Sequence, residues 1–187
     1  LSKLKKNAET ACRLLFQECY KAGIKNIFIT ETLRTKERQK YLFAQGRTRP
    51  GKVVTWTLNS NHFNGLAWDM ACSDPSDLYD RIVLTKVGKI AGKLGITWGG
   101  TWKDSYDAPH FEVKSNWSMP KGYKLEGTVI VPSNNKLKVQ LHVEDKKEVV
   151  SVTNVFNPGS PSIATEVENF IKKAVKDGII DVQHLVA

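Results

Sequence analysis

The sequence predicts an α+β fold: a domain of helices packed on an antiparallel sheet, followed by a small β-rich module that ends in a helix. Three observations carry this prediction. Segments with an apolar residue every three or four positions are interspersed with short segments in which apolar and polar residues alternate. Glycine or other turn residues separate these segments. The chain changes character near residue 125, where several strand-like segments follow one another before a last helical segment.

Three helices are predicted in the first part of the chain. The first carries apolar residues at steps of three and four and ends at Gly23, a residue suited to a left-handed cap; its apolar positions are Leu4, Ala8, Ala11, Leu15, Cys19 and Ala22. The second is "TKERQKYLFAQG", with Thr35 as its N-cap and Gly46 beyond its end. The third is "LTKVGKIAGKLG", which ends at Gly95.

Three strands accompany these helices. "KNIFIT" is a short run rich in β-formers. In "GLAWDMAC", alternation places Asp69 on the face opposite Trp68 and Met70. In "HFEV", His110 and Glu112 share one face, and the apolar residues occupy the other. The second and third of these strands therefore direct polar, ionisable side chains away from the core.

The second part of the chain is assigned to residues 125–187, behind a first domain of residues 1–124. "GTVIVP", "KLKVQLHV" and "EVVSVTNVF" are predicted strands, with "EDKK" turning between the last two. "PGSP" leads into a helix that bears the apolar residues Ile163, Val167, Phe170 and Ala174 and is capped by Gly178.

The positive charge is concentrated in the first domain. The whole chain carries a formal net charge of +9, and residues 125–187 contain 7 Lys and 8 Asp or Glu, so residues 1–124 carry +10. Such a domain attracts polyanions: nucleic acid, an anionic membrane, or the anionic polymers of a bacterial wall. No apolar run approaches the roughly 20 residues that cross a bilayer. The first residues lack the apolar stretch of a signal peptide, so we expect synthesis in the cytoplasm with no export signal in the chain as given.

The cysteines agree with a reducing compartment. Cys12 and Cys19 lie on one predicted helix about 10 Å apart, beyond the roughly 7 Å limit for a disulfide. Cys72 lies in an apolar strand and is expected to be a core thiol, although a bridge from it to either of the others stays open.

Two of the four histidines occur in segments that suit a metal site. His62, Asp69 and His110 supply two imidazoles and one carboxylate, the three protein ligands that a hydrolytic zinc ion needs beside one open position. Asp69 and His110 lie on the outward faces of two strands, and His62 precedes Gly65 in a loop. Side by side, the two strands would direct their ligands into one cleft, which the loop could also reach.

Three further residues are candidates for catalysis. Asp107 precedes His110 by three residues, across Pro109, and could accept a proton from the attacking water. Glu112, on the same face as His110, is a competing base or a partner that orients a ligand. Arg34, between the first strand and the second helix, could stabilise an oxyanion or hold a substrate carboxylate.

These segments carry a family resemblance. "SNHFNGLAWDM", followed by "WGGTWKDSYDAPHFE", resembles the metallopeptidases that include D-alanyl-D-alanine dipeptidases and carboxypeptidases. The similarity is strongest to the L-alanyl-D-glutamate endopeptidases of Bacillus-type cell walls and phage endolysins, which carry a segment similar to "RTKERQKYLFAQGRTRPGKVVTW". The resemblance covers roughly residues 5–117.

The resemblance implies a bacteriolytic zinc peptidase that cleaves the peptidoglycan stem peptide. It assigns zinc binding to His62, Asp69 and His110, the base to Asp107 and transition-state stabilisation to Arg34. By the same motif, Ser60 would orient substrate or ligand. Dipeptidase relatives have Glu where this chain has Asp107, which favours the endopeptidase branch.

The expected partners are peptidoglycan and the anionic polymers associated with it in the wall. We expect the protein to be a monomer that neither binds nucleic acid nor inserts into a membrane. The C-terminal "NPGSPSIATEVENFIKKAVKDGIID" is similar to segments of cell-wall attachment modules. The alternatives are a D,D-carboxypeptidase or dipeptidase on the same scaffold, and a wall-binding protein without catalysis. Binding to nucleic acid would explain the basic domain but not the His and Asp spacing.

Overall fold

The computed structural model describes residues 1–143 and, further along the chain, the single positions 165, 169, 172, 173 and 176. By its internal contacts the chain divides into two compact units, Leu1–Glu144 and Asp145–Ala187. Within the described residues, no helix combines the length and the apolar character needed to cross a membrane. The elements of the first unit are α1 (Lys6–Lys21), β1 (Ile27–Glu31), α2 (Lys36–Ala44), a 3-10 turn (Asn61–Asn64), β2 (Ala67–Cys72), α3 (Arg81–Lys93), β3 (Thr97–Trp98), a second 3-10 turn (Gly99–Thr101), β4 (His110–Glu112), β5 (Thr128–Ile130) and β6 (Gln140–His142).

A four-stranded antiparallel sheet is the centre of this unit. Its strand order is β1-β2-β4-β3, so β2 and β4 lie side by side although about forty residues separate them in the chain. Trp68 pairs with Phe111, and both side chains are fully buried. The predicted class, helices packed on an antiparallel sheet, is confirmed.

Helices α1 and α3 close the apolar side of the sheet. Five of the six predicted apolar positions of α1 are buried in the core, and the sixth, Ala22, is the exposed C-cap residue. Gly23 has a left-handed φ of 79° after the helix ends. Helix α3 begins at Arg81, three residues earlier than predicted, because the Asp80 side chain accepts hydrogen bonds from the first backbone amides. It approaches the sheet closely at Gly88, where an added Cβ would lie 2.1 Å from the Trp98 ring.

Helix α2 begins where the sequence predicts. The Thr35 hydroxyl accepts a hydrogen bond from the Arg38 amide, which satisfies one of the free donors of the first turn. Gly46 follows with φ 74°, and a Cβ there would lie 2.6 Å from the Val53 amide nitrogen. The segment after α2 is therefore folded tightly back on itself.

The boundary between the two units lies about twenty residues later than the expected position near residue 125. Strands β5 and β6 form a separate antiparallel pair, and Val129 and Val139 bury their side chains in the core of the first unit. Gln17 of α1 secures the start of this segment, because its amide donates to the Lys124 carbonyl and accepts from the Glu126 amide. The apolar alternation of these strands is explained by packing against α1.

The remaining predictions for the second part lie outside the described residues. These are the strand "EVVSVTNVF" and the apolar face of the last helix. Positions 165, 169, 172, 173 and 176 are helical and exposed.

The three cysteines Cys12, Cys19 and Cys72 are free thiols, and all are buried. Burial raises the pKa of Cys19 to about 12 and that of Cys72 to about 11. The possible bridge from Cys72 to another cysteine is not formed.

Candidate metal centre and cleft

The structure brings His62, Asp69 and His110 together as a possible metal site. The His62 Nε2 atom lies 3.2 Å from Asp69 Oδ1 and 3.3 Å from His110 Nδ1, and His110 Nδ1 lies 3.3 Å from Asp69 Oδ1. The three atoms form a nearly equilateral triangle. Bonds of 2.0–2.1 Å to a tetrahedral ion place ligand atoms about 3.3 Å apart, so the donors fit such an ion.

Sheet register and one tight turn produce this triangle. Asp69 of β2 is directly opposite His110 of β4 in the antiparallel ladder, so their outward side chains are neighbours. His62 enters from the first 3-10 turn, which ends at Gly65 with φ 62°. The Ser60 hydroxyl caps this turn by accepting a hydrogen bond from the His62 amide at 3.4 Å.

Hydrogen bonds on the far side of each imidazole fix which nitrogen faces the site. His62 Nδ1 lies against the Thr32 carbonyl oxygen, which can only accept, so Nδ1 carries the proton and Nε2 presents its lone pair. His110 is reversed: its Nε2 lies 3.0 Å from Glu112, and Nδ1 faces the site. The same Glu112 oxygen accepts a hydrogen bond from Asn61 at 2.9 Å. Of its two expected roles, Glu112 thus occupies the position of an orienting partner.

Arg34 contacts the Asp69 carboxylate, with a side chain that is 9% exposed. Its guanidinium donates to Asp69 Oδ2 at 2.7 Å, to Glu31 through two nitrogens, and to Gln39 at 2.8 Å. Four of its five N–H bonds thus have acceptors among the described residues, which leaves one on Nη1. Orientation of Asp69 by Arg34 was not foreseen from the sequence.

Gln39 is a second residue that sequence reasoning missed. The charged residues of α2 are exposed, but the Gln39 side chain is fully buried. Its oxygen accepts from Arg34, while its nitrogen donates to the Thr55 hydroxyl at 2.9 Å and the Thr57 carbonyl at 2.7 Å. This amide therefore joins Arg34 to the 55–57 segment. Nothing in the local sequence distinguishes it from the exposed polar residues of α2, since its partners lie up to 18 positions away.

The electrostatics of the metal-free trio favour an ion pair. Burial raises the pKa of Asp69, but hydrogen bonds from His110 and His62 outweigh burial and hold this pKa well below its usual range. Burial likewise lowers the pKa of His110, while hydrogen bonds with Asp69 and Glu112 outweigh it and raise the pKa to about 9. Without a metal ion, a proton on His110 therefore balances the negative charge of Asp69.

Asp107 lies at the edge of the same site. Burial, and then the negative charge of Asp69, raise the pKa of its carboxyl. Its backbone is bound on both sides, because its amide donates to the Gly99 carbonyl at 3.1 Å and its carbonyl accepts from His110 at 3.2 Å. A Cβ at Gly99 would lie 2.4 Å from the Asp107 carbonyl oxygen and 3.2 Å from the His110 Cβ. The glycine thus permits the close approach of Asp107 and His110.

His110 of the trio lines a cleft of about 530 Å³, as do Arg34 and Asp107. Trp102 forms part of its wall, with its ring 5.1 Å from the His110 ring. Trp98 packs in the core and donates to the Ala108 carbonyl at 2.8 Å. The residues that line the cleft are Arg34, Thr55, Trp56, Thr57, Asn59, Ser60, Asn61, Phe63, Asn64, Trp102, Ser105, Asp107, His110 and Glu112.

An α+β domain with two imidazoles, one carboxylate and a further cleft carboxylate defines a candidate mononuclear metal centre. Comparison with known proteins finds peptidases among the relatives of this chain. Residues 54–113, which include this centre, match the model of a peptidase family described as D-alanyl-D-alanine carboxypeptidase. The chain is also 36% identical over 104 residues to the peptidoglycan L-alanyl-D-glutamate endopeptidase CwlK of Bacillus subtilis strain 168. These matches confirm the resemblance predicted from the sequence.

The comparisons are partial in extent. The match to the Bacillus relative spans 49% of this chain and 62% of that protein. Among solved structures, the L-Ala D-Glu endopeptidase ChiX of Serratia marcescens aligns with a TM-score of 0.47 and 21% identity, over 60% of this chain and 82% of that one. The LD-carboxypeptidase LdcB aligns with a TM-score of 0.47 and 20% identity, over 59% and 58% of the two chains.

Proposed function

We propose that this protein is a zinc-dependent endopeptidase that hydrolyses the peptidoglycan stem peptide at the L-alanyl-D-glutamate bond. The triangle formed by His62, Asp69 and His110, with the Asp107 carboxyl at its edge, is the observation that carries the proposal. The 36% identity to a Bacillus subtilis enzyme with that activity supports the choice of bond. The donor set of two imidazoles and one carboxylate favours zinc, because Zn²⁺ accepts both ligand types at tetrahedral distances.

When zinc is bound, it lowers the pKa of a water molecule toward about 7 and polarises the substrate carbonyl. His62 and His110 bind the ion as neutral imidazoles, held by Thr32 and Glu112. Asp107 takes the proton of the attacking water and returns it to the leaving amine. The raised pKa of Asp107 lies closer to neutral pH than that of an ordinary carboxyl, which suits a group that must both accept and release a proton.

In this proposal two further residues, Arg34 and Ser60, contribute to substrate binding and catalysis. Arg34 holds Asp69 and keeps one N–H on Nη1 for a substrate oxygen, either the developing oxyanion or a carboxylate of the stem peptide. Ser60 orients His62 by capping its turn, and from the cleft wall its hydroxyl is also available to substrate. Both residues line the cleft.

Metal removal and one substitution test the proposal together. We expect a chelator to abolish release of peptides from purified walls and added zinc to restore it. Asp107→Ala should retain one zinc ion per chain by elemental analysis while its rate falls by about 10²–10⁴-fold. Asp104→Ala removes a nearby exposed carboxylate and is the control. Full lysis by Asp107→Ala would refute the assignment of the base.

A D,D-carboxypeptidase is the second candidate, because the family model that matches residues 54–113 carries that description. Mass spectrometry of digested muropeptides separates the two activities. An endopeptidase creates a new amino-terminal D-glutamyl end, whereas a carboxypeptidase removes only the terminal D-Ala. Walls that sediment with the protein but release no peptide would support the non-catalytic alternative.

The proposal extends to the site of action and to the segment of residues 125–187. The substrate places the enzyme at the bacterial cell wall, as an endolysin or as a host wall peptidase. Its C-terminal similarity to wall attachment segments supports a wall-binding role beyond the catalytic unit. A chain truncated after residue 143 should bind walls more weakly than the full chain while it still cleaves soluble muropeptide.

A further inference from the structure

One wall of the cleft continues outward into an arginine–aromatic surface that the catalytic proposal does not use. We propose that this surface binds a phosphodiester polymer of the bacterial wall and thereby holds the cleft against its substrate. The inference rests on the proposed function for the identity of the wall as partner. The surface is formed by α2 and the segment that follows it, through Arg38, Tyr41, Phe43, Arg47, Arg49 and Trp56.

Charge is the first argument. Residues 35–56 contain six basic residues and a single acidic one, a net charge of +5 in a chain of +9. All seven of these side chains are exposed. Among the described residues, Arg38 lies 3.5 Å from Glu31, but Arg47, Arg49 and Lys52 form no ion pair with a carboxylate. A surface on which most cations have no paired carboxylate favours an anionic partner.

The arginines are also held in place. The guanidinium carbon of Arg49 lies 3.5 Å from the centre of the Tyr41 ring, and that of Arg47 lies 4.0 Å from the Phe43 ring. The Ala44 carbonyl accepts hydrogen bonds from the amides of residues 47, 48 and 49, which closes the turn that carries both arginines. Arg47 donates to the Phe43 and Thr55 carbonyls, whereas the stacked guanidinium of Arg49 donates no hydrogen bond among the described residues. The free N–H edge of Arg49 matches the oxygens of a phosphate.

The position of the surface relates it to the cleft. Arg47 donates to the Thr55 carbonyl at 3.2 Å, and both Thr55 and Trp56 line the cleft. A polymer joined to the same wall as the stem peptide could therefore contact this surface while the peptide lies in the cleft. Each contact would then raise the local concentration of the other.

Nucleic acid has the same phosphodiester charge but fits the aromatic residues less well. Single-stranded nucleic acid is bound through open aromatic faces on which bases stack. Arg49 and Arg38 both lie over the Tyr41 ring, at 3.5 Å and 5.5 Å from its centre, and Arg47 lies over Phe43. Trp56 is 60% exposed, and the guanidinium carbon of Arg47 lies 5.9 Å from the centre of its ring. The surface thus offers stacked cations for phosphates and little room for bases.

Arg49→Gln/Lys52→Gln is the test variant, because neither side chain donates a hydrogen bond that maintains the fold among the described residues. Lys89→Gln/Lys93→Gln removes the same charge from the exposed face of α3 and is the matched control. Binding is measured by sedimentation with Bacillus walls, before and after hydrofluoric acid removes phosphodiester polymers. Soluble poly(glycerol phosphate), polyglutamate and a single-stranded DNA of matched charge serve as probes.

We expect the test variant to bind native walls about tenfold more weakly than the control variant, with a salt slope reduced by about 1 to 2. Both variants should bind polymer-free walls equally. Equal weakening by the two variants, binding that is unchanged by loss of the polymers, or DNA or polyglutamate bound as tightly as poly(glycerol phosphate) would overturn the inference.

Cleavage of a soluble, polymer-free muropeptide separates this inference from the proposed function. The test variant should cleave it at the wild-type rate, since none of its substituted residues lines the cleft. If the wild-type protein cleaved no muropeptide but bound phosphodiester polymer through this surface, the proposed activity would fail and the binding inference would stand.

Discussion

Protons and the metal ion compete for His110, and this competition predicts how metal affinity depends on pH. His110 must present an unprotonated Nδ1 to the ion, yet in the metal-free protein its pKa is raised to about 9. At pH 7, about one molecule in a hundred has this nitrogen free. Asp69, whose pKa is held well below its usual range, stays ionised throughout and adds no pH dependence.

The sign and size of the effect follow directly. Because the proton and the metal exclude each other, apparent zinc affinity should rise about tenfold per pH unit from pH 7 and level off near pH 9, with about one proton released at pH 7. Glu112→Gln keeps an acceptor for His110 Nε2 but removes the negative charge that helps to raise the pKa of His110. In this variant zinc affinity should therefore stop rising at a lower pH. Glu37→Gln, on the exposed face of α2, should leave that pH unchanged.

Competition with a chromophoric chelator of known pH dependence gives the affinity between pH 6 and pH 10. Calorimetry in buffers of different ionisation enthalpy counts the released protons. An affinity that is flat between pH 7 and pH 8.5, or zinc binding without proton release, would refute the assignment of His110 as a protonated ligand in the metal-free protein.

The two remaining predictions concern packing and positioning. Gly88→Ala should destabilise the protein by about 1–3 kcal/mol, because the new methyl group would lie 2.1 Å from the Trp98 ring, whereas Gly92→Ala on the same helix meets nothing within 4 Å and should stabilise it by about 0.5–1 kcal/mol. Chemical denaturation measures both, and equal effects would contradict the close packing of α3. Gln39→Leu should cost about 1–3 kcal/mol and lower kcat while zinc content is kept, since Arg34 loses a buried acceptor. Unchanged kcat in that variant would show that the Arg34 position does not depend on the buried amide.

The strength of the helix and strand patterns explains why much of the fold could be predicted. The apolar spacing of α1 and the Thr35 cap of α2 depend on residues within a few positions, and the structure has both as predicted. The start of α3 was placed too late because the prediction began at Leu84, the first buried residue of the helix, whereas Asp80 caps the helix four residues earlier. Alternation in β5 and β6 indicates a buried face but not which core buries it, so the packing of these strands against the first unit could not be predicted.

The types of the candidate ligands could be predicted from the sequence, but most of the hydrogen bonds that hold them in place could not. His62, Asp69 and His110 have types and spacings that suit a metal site, and alternation within two strands indicated their outward direction. Strand alternation placed Glu112 beside His110 as a possible orienting partner. The hydrogen bonds from His62 to the Thr32 carbonyl and from Asn61 to Glu112 join residues 30 and 51 positions apart, which no short-range pattern contains.

By itself the sequence determined the elements and the donor types, because helix periodicity, strand alternation and ligand chemistry are properties of residues close together in the chain. Only the tertiary structure decided that β2 and β4 are neighbours, which sets Asp69 opposite His110 and closes the triangle with His62. It also decided the burial of Gln39 and the stacking of Arg49 on Tyr41. Contacts such as these are settled by the packing of the whole unit, since strand partners and buried polar groups depend on segments that are distant in the chain.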